Sequence, residues 1–155
     1  MTDPVVSIRA AEAEDCRFYW QVNNEPSTRA QSISPEPIPW ESHQRWYAQR
    51  LLDQETVLYV AELEGERVGV LRFDRAGEES TISVALAPAY RGRGLGRQII
   101  ASGTRASLDS GAVKRVIALV RPDNIGSVRA FLAAGYLRSE QTRVQGVELL
   151  QFVAS

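Results

Sequence analysis

Val84-Ala-Leu-Ala-Pro-Ala-Tyr-Arg-Gly-Arg-Gly-Leu-Gly-Arg97 runs from an apolar strand through a glycine-rich turn into the start of a helix. Ile82, Val84 and Leu86 alternate with Ser83, Ala85 and Ala87, the period-two pattern of a strand spanning Glu79 to Ala87. Gly92, Gly94 and Gly96 carry no Cβ, so the backbone there is free to take positive φ and to approach a ligand closely. From Gly94 to Ser110 the apolar residues Leu95, Ile99 and Ala106 recur at helical spacing. A helix that begins directly after such a turn presents unpaired N–H groups and the positive end of its dipole, so the stretch is suited to an anion such as phosphate.

Three phosphate-loop patterns compete for it. The nucleotide-hydrolase loop requires G-x-x-x-x-G-K-[ST], and no Lys followed by Ser or Thr stands at that spacing. The dinucleotide fingerprint G-x-G-x-x-G belongs to the first strand-turn-helix unit, whereas Gly92-Arg-Gly94-Leu-Gly96-Arg97 has its third glycine one place early and sits mid-chain. What remains is [QR]-x-x-G-x-[GA] after a strand ending in Val-x-Leu-x-Pro, here Arg91-Gly-Arg-Gly94-Leu-Gly96. This resembles the acetyl-CoA loop of the GCN5-related N-acetyltransferases. A second stretch, Asn124-x-x-Ser127-x-x-x-Phe131-x-x-x-Gly135-Tyr136, is similar to that family's N-x-x-[AS]-x-x-x-[YF]-x-x-x-G-[FY] unit. The two motifs stand in the family's order, and the resemblance covers nearly the whole chain.

The bulk numbers agree with a soluble globular protein. The 155 residues suffice for one domain, read as residues 1–155, with 44% apolar and 24% charged content. With 18 basic and 19 acidic residues the net charge is −1, so no overall basic field recruits nucleic acid. All the basic residues but Lys114 are arginine, a bias spread over the whole chain. Cys16 is the only cysteine, which excludes an internal disulfide and a multi-thiolate metal site. Met1-Thr-Asp-Pro4 has no signal-peptide character and no run reaches membrane-spanning length, so a cytoplasmic protein without membrane attachment is expected.

Periodicity adds a strand over Val5 to Arg9 and a helix from Ala11 to about Val22. Pro26, Pro35, Pro37 and Pro39 predict that no regular structure persists between Asn23 and Pro39, and a loop of this length points to function. A second helix spans Trp40 to Asp53 with Trp46, Arg50 and Leu51 along one side. Strands follow at Thr56 to Leu63 and Arg67 to Asp74, joined by Glu64-Gly65-Glu66. Past the glycine loop come a buried strand at Val113 to Val120, a helix at Asn124 to Ala134 with Val128, Phe131 and Leu132 inward, and a hairpin turning near Gln145-Gly146. Gly103 inside the Gly94 to Ser110 helix costs about 1 kcal/mol relative to Ala unless close packing uses it. The order β-α-α-β-β-β-α-β-α-β-β is the one the family uses. The fold expected is α/β: a mixed, mostly antiparallel sheet of six to seven strands with helices on both faces.

The resemblance implies a V-shaped splay between the fourth and fifth strands, with the pantetheine arm of acetyl-CoA along Val84, Ala85 and Leu86. Arg91, Gly92, Arg93, Gly94, Leu95, Gly96 and Arg97 would cradle the diphosphate through backbone N–H groups, with Arg93 or Arg97 adding charge-assisted contacts. Asn124, Ser127 and Phe131 would line the cofactor, Asn124 and Ser127 while also capping their helix. Acetyl would pass directly to an amine through a tetrahedral oxyanion held by a backbone N–H near Leu86, with no metal and no acetyl-cysteine at Cys16. Phe131 stands where many members carry a tyrosine that protonates the departing thiolate; Tyr47, Tyr59, the attacking ammonium or water are the remaining sources. Otherwise Phe131 is the core position of its helix.

For the base, Glu79 through a water chain ending at Ser83 is the candidate, against the plainer reading that both are structural or solvated. Asn23-Asn-Glu-Pro26, Arg29 and Pro37-Ile-Pro-Trp40-Glu-Ser-His43 are similar to the corresponding segment in acetyltransferases of nucleotide-linked amino sugars of the pseudaminic acid type. This makes Arg29, Trp40 and His43 candidate substrate contacts, set against an exposed loop Arg, a core or edge aromatic and a satisfied helix histidine. Other amines (a protein N-terminus, an amino acid, an antibiotic) and a non-catalytic acyl-CoA sensor stay open, and family members are often homodimers.

Overall fold

The computed structural model describes residues 5–155, so Met1 to Pro4, the segment read for signal character, lie outside the described residues. Seven strands form one sheet: β1 (Ser7–Ala10), β2 (Thr56–Leu63), β3 (Glu66–Ala76), β4 (Glu79–Leu86), β5 (Arg115–Val120), β6 (Leu137–Val144) and β7 (Val147–Ala154), in the order β1-β2-β3-β4-β5-β7-β6. Every neighbouring pair is antiparallel except β4 and β5. Five helices accompany it: α1 (Cys16–Asn23), α2 (Pro26–Ala30), α3 (Trp40–Leu52), α4 (Leu95–Asp109) and α5 (Ile125–Ala133).

Two of the hairpins, β2–β3 and β6–β7, turn as their residues dictate. Glu64 and Gly65, and again Gln145 and Gly146, all have positive φ, the two-residue turn whose twist matches the strands it joins.

The sheet carries a core on each face. Under α4 and α5, Leu71, Phe73, Ile82, Leu95, Ile99, Phe131, Tyr136 and Phe152 belong to one buried cluster. On the opposite face Tyr19, Val22, Tyr47, Leu58, Val60 and Val70 form a second, with Ala85 and Ala87 of the β4 edge packed against it. Gly103 is where α4 comes closest to the sheet, since a Cβ there would lie 2.7 Å from Leu71 Cδ2 and 3.0 Å from Phe73 Cζ. Close packing therefore accounts for the glycine.

Several expected boundaries move, each for a local reason. The helix expected from Ala11 begins instead as a 3-10 turn at Ala13–Asp15, with α1 following. Asp15 accepts from the Glu12 N–H at 2.8 Å and from Arg9, which ties the entry to β1. The Asn23 to Pro39 segment is not wholly irregular. Pro26 occupies the first turn of α2, where no N–H is needed, and Glu25 caps it by accepting from the Ser27 and Thr28 N–H groups. On α3 the buried residues are His43 and Tyr47, whereas Leu51 is exposed. Ala106 is exposed as well, and α4 buries Leu95, Ile99, Ile100, Gly103 and Thr104. Leu132 faces out at 49% exposure, while Phe131 lies inward. Among the described residues no helix is long and apolar enough to cross a membrane.

Candidate functional site

The parallel strands β4 and β5 pair over only four rungs, Glu79 with Arg115 through Ile82 with Ala118. Beyond them β4 runs on to Leu86 still paired to β3, and β5 runs on to Val120 still paired to β7. Each strand keeps its outer partner and loses its inner one, so a V-shaped cleft opens between Ser83–Leu86 and Leu119–Val120. Ala87 N–H donates to the Val68 carbonyl at 2.9 Å, so Ala87 and, at period two, Ala85 and Ser83 turn their peptide groups toward β3. Val84 and Leu86 therefore direct N–H and C=O groups into the cleft. Of the three residues expected to meet pantetheine, Ala85 offers no backbone group on that side.

The glycine loop closes the open end of β4. Gly92 and Gly94 hold φ of +76° and +75°, the left-handed region that L side chains resist, and Gly94 is the N-cap of α4. No side chain caps this helix and its first turn carries no acidic residue, so the N–H groups of Leu95, Gly96 and Arg97 face outward with the dipole's positive end behind them. Gly96 does not share the positive φ of the other two. It is helical, and a Cβ there would sit at ordinary contact, 3.7 Å from Leu86 Cδ1 and 3.8 Å from Ala130 Cβ. The Leu95 side chain is buried in the core, which leaves only its N–H for a ligand. Arg93 lies over the Tyr90 ring at 5.5 Å, and Arg97 is exposed. An uncapped 15-residue helix behind two left-handed glycines, beside a strand edge whose Val84 and Leu86 N–H groups face the cleft, fits a diphosphate followed by an amide-bearing arm.

Arg91 behaves differently from its neighbours. Its guanidinium folds back to donate to the Leu86 carbonyl from Nε (3.3 Å) and Nη2 (3.1 Å), and reaches Ser27 Oγ, Thr28 Oγ1 and Glu25 Oε2. Ser27 and Arg91 together hold the Glu25 carboxyl below its usual range. Its side chain is thus committed to α2, a relationship invisible in the motif. On the other wall Arg121, one residue past β5, donates from Nε (3.2 Å) and Nη2 (2.7 Å) to the Ser32 carbonyl. An open groove follows, lined by Arg121, Pro122, Asp123, Arg143, Gly146, Val147 and Glu148. Glu148 is paired there with Arg143, and Asp123 has no ion-pair partner among the described residues.

The second motif is split between surface and core. Asn124 caps α5, its Oδ1 accepting from the Ser127 N–H at 3.3 Å, and both residues are half-buried at the open end. Phe131 is 3% exposed, edge-on to Tyr136 and stacked on Phe152, so its side chain anchors the core.

Glu79 and Ser83 stand apart along β4, each with an arginine partner. Glu79 stands on the first β4–β5 rung, at the closed end of the V, ion-paired with Arg115. Ser83 is the first residue past the last rung, and its Oγ accepts from Arg72 Nη2 at 3.2 Å. Arg72 is in turn held by Asp74 at 2.8 Å and lies over Trp46. A guanidinium takes no further proton, so Ser83 is a hydrogen-bonding station without a relay to Asp74. Among the tyrosines, Tyr47 donates to the Glu12 carbonyl and Tyr59 packs edge-on against Phe73, away from the cleft. Tyr136 is bonded to Thr104 at 2.6 Å, its pKa pushed up to about 12 by burial.

The three substrate candidates are also occupied. His43 is buried, sandwiched by Trp40 and Tyr47, with Nε2 2.8 Å from the Cys16 carbonyl. A carbonyl only accepts, so Nε2 carries the proton, and burial pushes the pKa down. Trp40 has His43 against its ring, Trp20 at its edge and the Arg17 guanidinium at 4.6 Å, leaving no open face for a sugar. Arg29 donates to the Asn23 and Ser34 carbonyls and has no carboxylate partner among the described ion pairs, and burial pushes its pKa down. It organises its own loop. Residues that sequence reasoning missed are Arg72, Arg121 and Glu25, whose side chains matter through partners distant along the chain.

Among the described residues no cluster of three or more His, Cys, Asp or Glu is placed to hold a metal. The model of the acetyltransferase (GNAT) family matches residues 19–136. No curated protein matches the chain. Solved structures with a similar fold include that of AAC(6')-Ib with ribostamycin and coenzyme A, at TM-score 0.86 and 17% identity over 96% of this chain and 92% of that one. Another is the spermidine N-acetyltransferase from Vibrio cholerae with CoA and spermine, at TM-score 0.84 and 16% identity over 96% and 94%.

Proposed function

Because this chain belongs to the acetyltransferase (GNAT) family and is an acetyl-CoA-dependent N-acetyltransferase, we propose that it transfers acetyl directly to a small primary amine at the open end of the β4–β5 cleft. Acetyl-CoA supplies an activated thioester; the chain supplies position. The uncapped start of α4 with Gly92 and Gly94 holds the diphosphate, and Arg93 and Arg97 stand beside it to neutralise charge. The Val84 and Leu86 N–H groups face the cleft as donors for the amide arm and for a carbonyl oxygen on which charge develops. The observation that carries this reading is the strand pair that stops at Ile82 and Ala118 beside an uncapped helix start.

Glu79 stands at the closed end, so we assign the proton of the incoming ammonium to solvent, with Ser83 holding one water. Asp123, which has no ion-pair partner among the described residues, is the carboxylate in the adjoining groove available to an ammonium acceptor. A nucleotide-linked amino sugar loses two of its expected contacts, since Trp40 and His43 are packed away. The solved relatives hold an aminoglycoside and a polyamine, which favours the broader class of amines. The test is thiol release from acetyl-CoA across a panel of aminoglycosides, polyamines, amino acids and nucleotide-linked amino sugars, together with calorimetric titration of CoA. Tight CoA binding with no thiol release by any amine would turn the reading toward an acyl-CoA sensor.

A further inference from the structure

The segment from Glu25 to Ser32 is tied to both walls of the V. At one end the Arg91 guanidinium joins Glu25, Ser27 and Thr28 to the Leu86 carbonyl, at the tip of the β4 wall. At the other, Arg121 leaves the tip of the β5 wall and takes the Ser32 carbonyl with two N–H groups. β4 and β5 are parallel, so both tips lie at the open end, and the segment bridges them. Within it α2 is capped by Glu25, and Ser32 Oγ donates to the Thr28 carbonyl at 2.9 Å.

Resting on the proposal that acetyl-CoA occupies this cleft, we infer that residues 25–32 are a strap forming the acceptor-side wall of the site, with Arg91 and Arg121 as its positioning residues. Each anchor has a distinct consequence. Arg91 opens the glycine loop, so a change of loop geometry on taking up a diphosphate is passed through its guanidinium to Glu25, Ser27 and Thr28. Arg121 bonds a main-chain carbonyl, so it fixes where the strap lies whatever side chain stands at position 32. An amine entering between strap and cleft therefore meets a wall whose position depends on cofactor occupancy. The motif's first position acts here through its side chain on the acceptor side, in addition to any backbone contact with the cofactor.

Amide hydrogen exchange over residues 25–34, with CoA as the probe and its affinity measured in parallel, tests this. In the wild-type protein CoA is expected to slow exchange of these amides at least threefold. Arg121→Ala is expected to speed it at least tenfold without ligand while the Kd for CoA stays within threefold, and Arg121→Lys to restore part of the protection. Arg91→Ala is expected to abolish the CoA-linked slowing, with partial rescue by Arg91→Lys. Ser27→Ala, a single exposed hydroxyl, is expected to weaken the coupling with the fold intact, and serves if an arginine variant fails to fold. CoA binding with strap exchange unchanged by CoA and by these variants would overturn the inference. Failure of the wild type to bind CoA would instead remove the functional reading beneath it.

Discussion

Glu79 is ion-paired with Arg115 across the first rung of the parallel pair, at the closed end of the cleft. Leu86 lies seven residues further along β4, about 23 Å away at the rise of a strand. The sequence places Glu79 and Ser83 on one strand, and only the position of the splay shows that they stand on different sides of its apex. Glu79→Gln is expected to change kcat/KM for the amine by less than about threefold and stability by less than about 0.5 kcal/mol, as for exposed pairs. A loss of a hundredfold in kcat, measured by thiol release, would return Glu79 to the reaction.

With Phe131 buried in the core and the ammonium proton assigned to solvent, the amine itself is expected to set the rate profile. The logarithm of kcat/KM is expected to rise with unit slope up to the pKa of the amine itself, about 10 for an alkylamine like that of lysine. A bell-shaped profile, with an inflection that stays fixed while amines of different pKa are compared, would reveal a general base or acid.

Gly103 and Gly96 lie on one helix and are expected to respond oppositely to alanine. Gly103→Ala drives a methyl to 2.7 Å from Leu71 Cδ2, and overpacking of this kind destabilises by about 1–3 kcal/mol, more than helix propensity returns. Gly96→Ala meets only ordinary contacts and is expected to raise stability by up to about 1 kcal/mol. Urea denaturation of both variants checks the pair; equal effects would contradict the packing described.

Stability is expected to fall as pH drops below about 6.5, the unperturbed value for histidine. Burial keeps the folded-state pKa of His43 below that value, so in this window the unfolded chain binds a proton that the folded protein refuses. The contribution is fully present above pH 6.5 and is lost as pH falls toward the folded pKa. Asp15, held below the usual carboxylate range chiefly by Arg9, acts in the same direction but at lower pH, below about 4. His43→Gln is expected to flatten the upper step and leave the lower one; denaturation midpoints from pH 8 to 3 measure both. An unchanged upper step would place the titrating group elsewhere.

The glycine loop and the Asn124 to Tyr136 unit were legible because their information is local. Left-handed φ at Gly92 and Gly94, an uncapped helix start and an asparagine cap each depend on residues within a few positions of one another. These two hairpins were legible for the same reason: turns signalled at Gly65 and Gly146 join strands that are neighbours in the chain. The prolines misled at α2, because Pro26 in a first turn supports a helix that Pro26 in its middle would break. Leu132, Leu51 and Ala106 misled because apolar spacing gives a helix its period without telling which of two adjacent residues faces the sheet.

Sequence alone determined the local geometry of the glycine loop, since left-handed turns and helix caps are written in residues a few positions apart. Tertiary structure alone decided what surrounds the open end of the cleft. Arg91 meets Glu25, Ser27 and Thr28 across more than sixty positions, and Arg121 meets Ser32 across 89. Side chains that act through such distant partners carry no local pattern, because a guanidinium in a loop reads the same whether it holds a phosphate, a carbonyl or water. The splay of β4 from β5 then set which candidates share an end of the cleft and which stand apart, leaving Glu79 at the closed end and the strap at the open one.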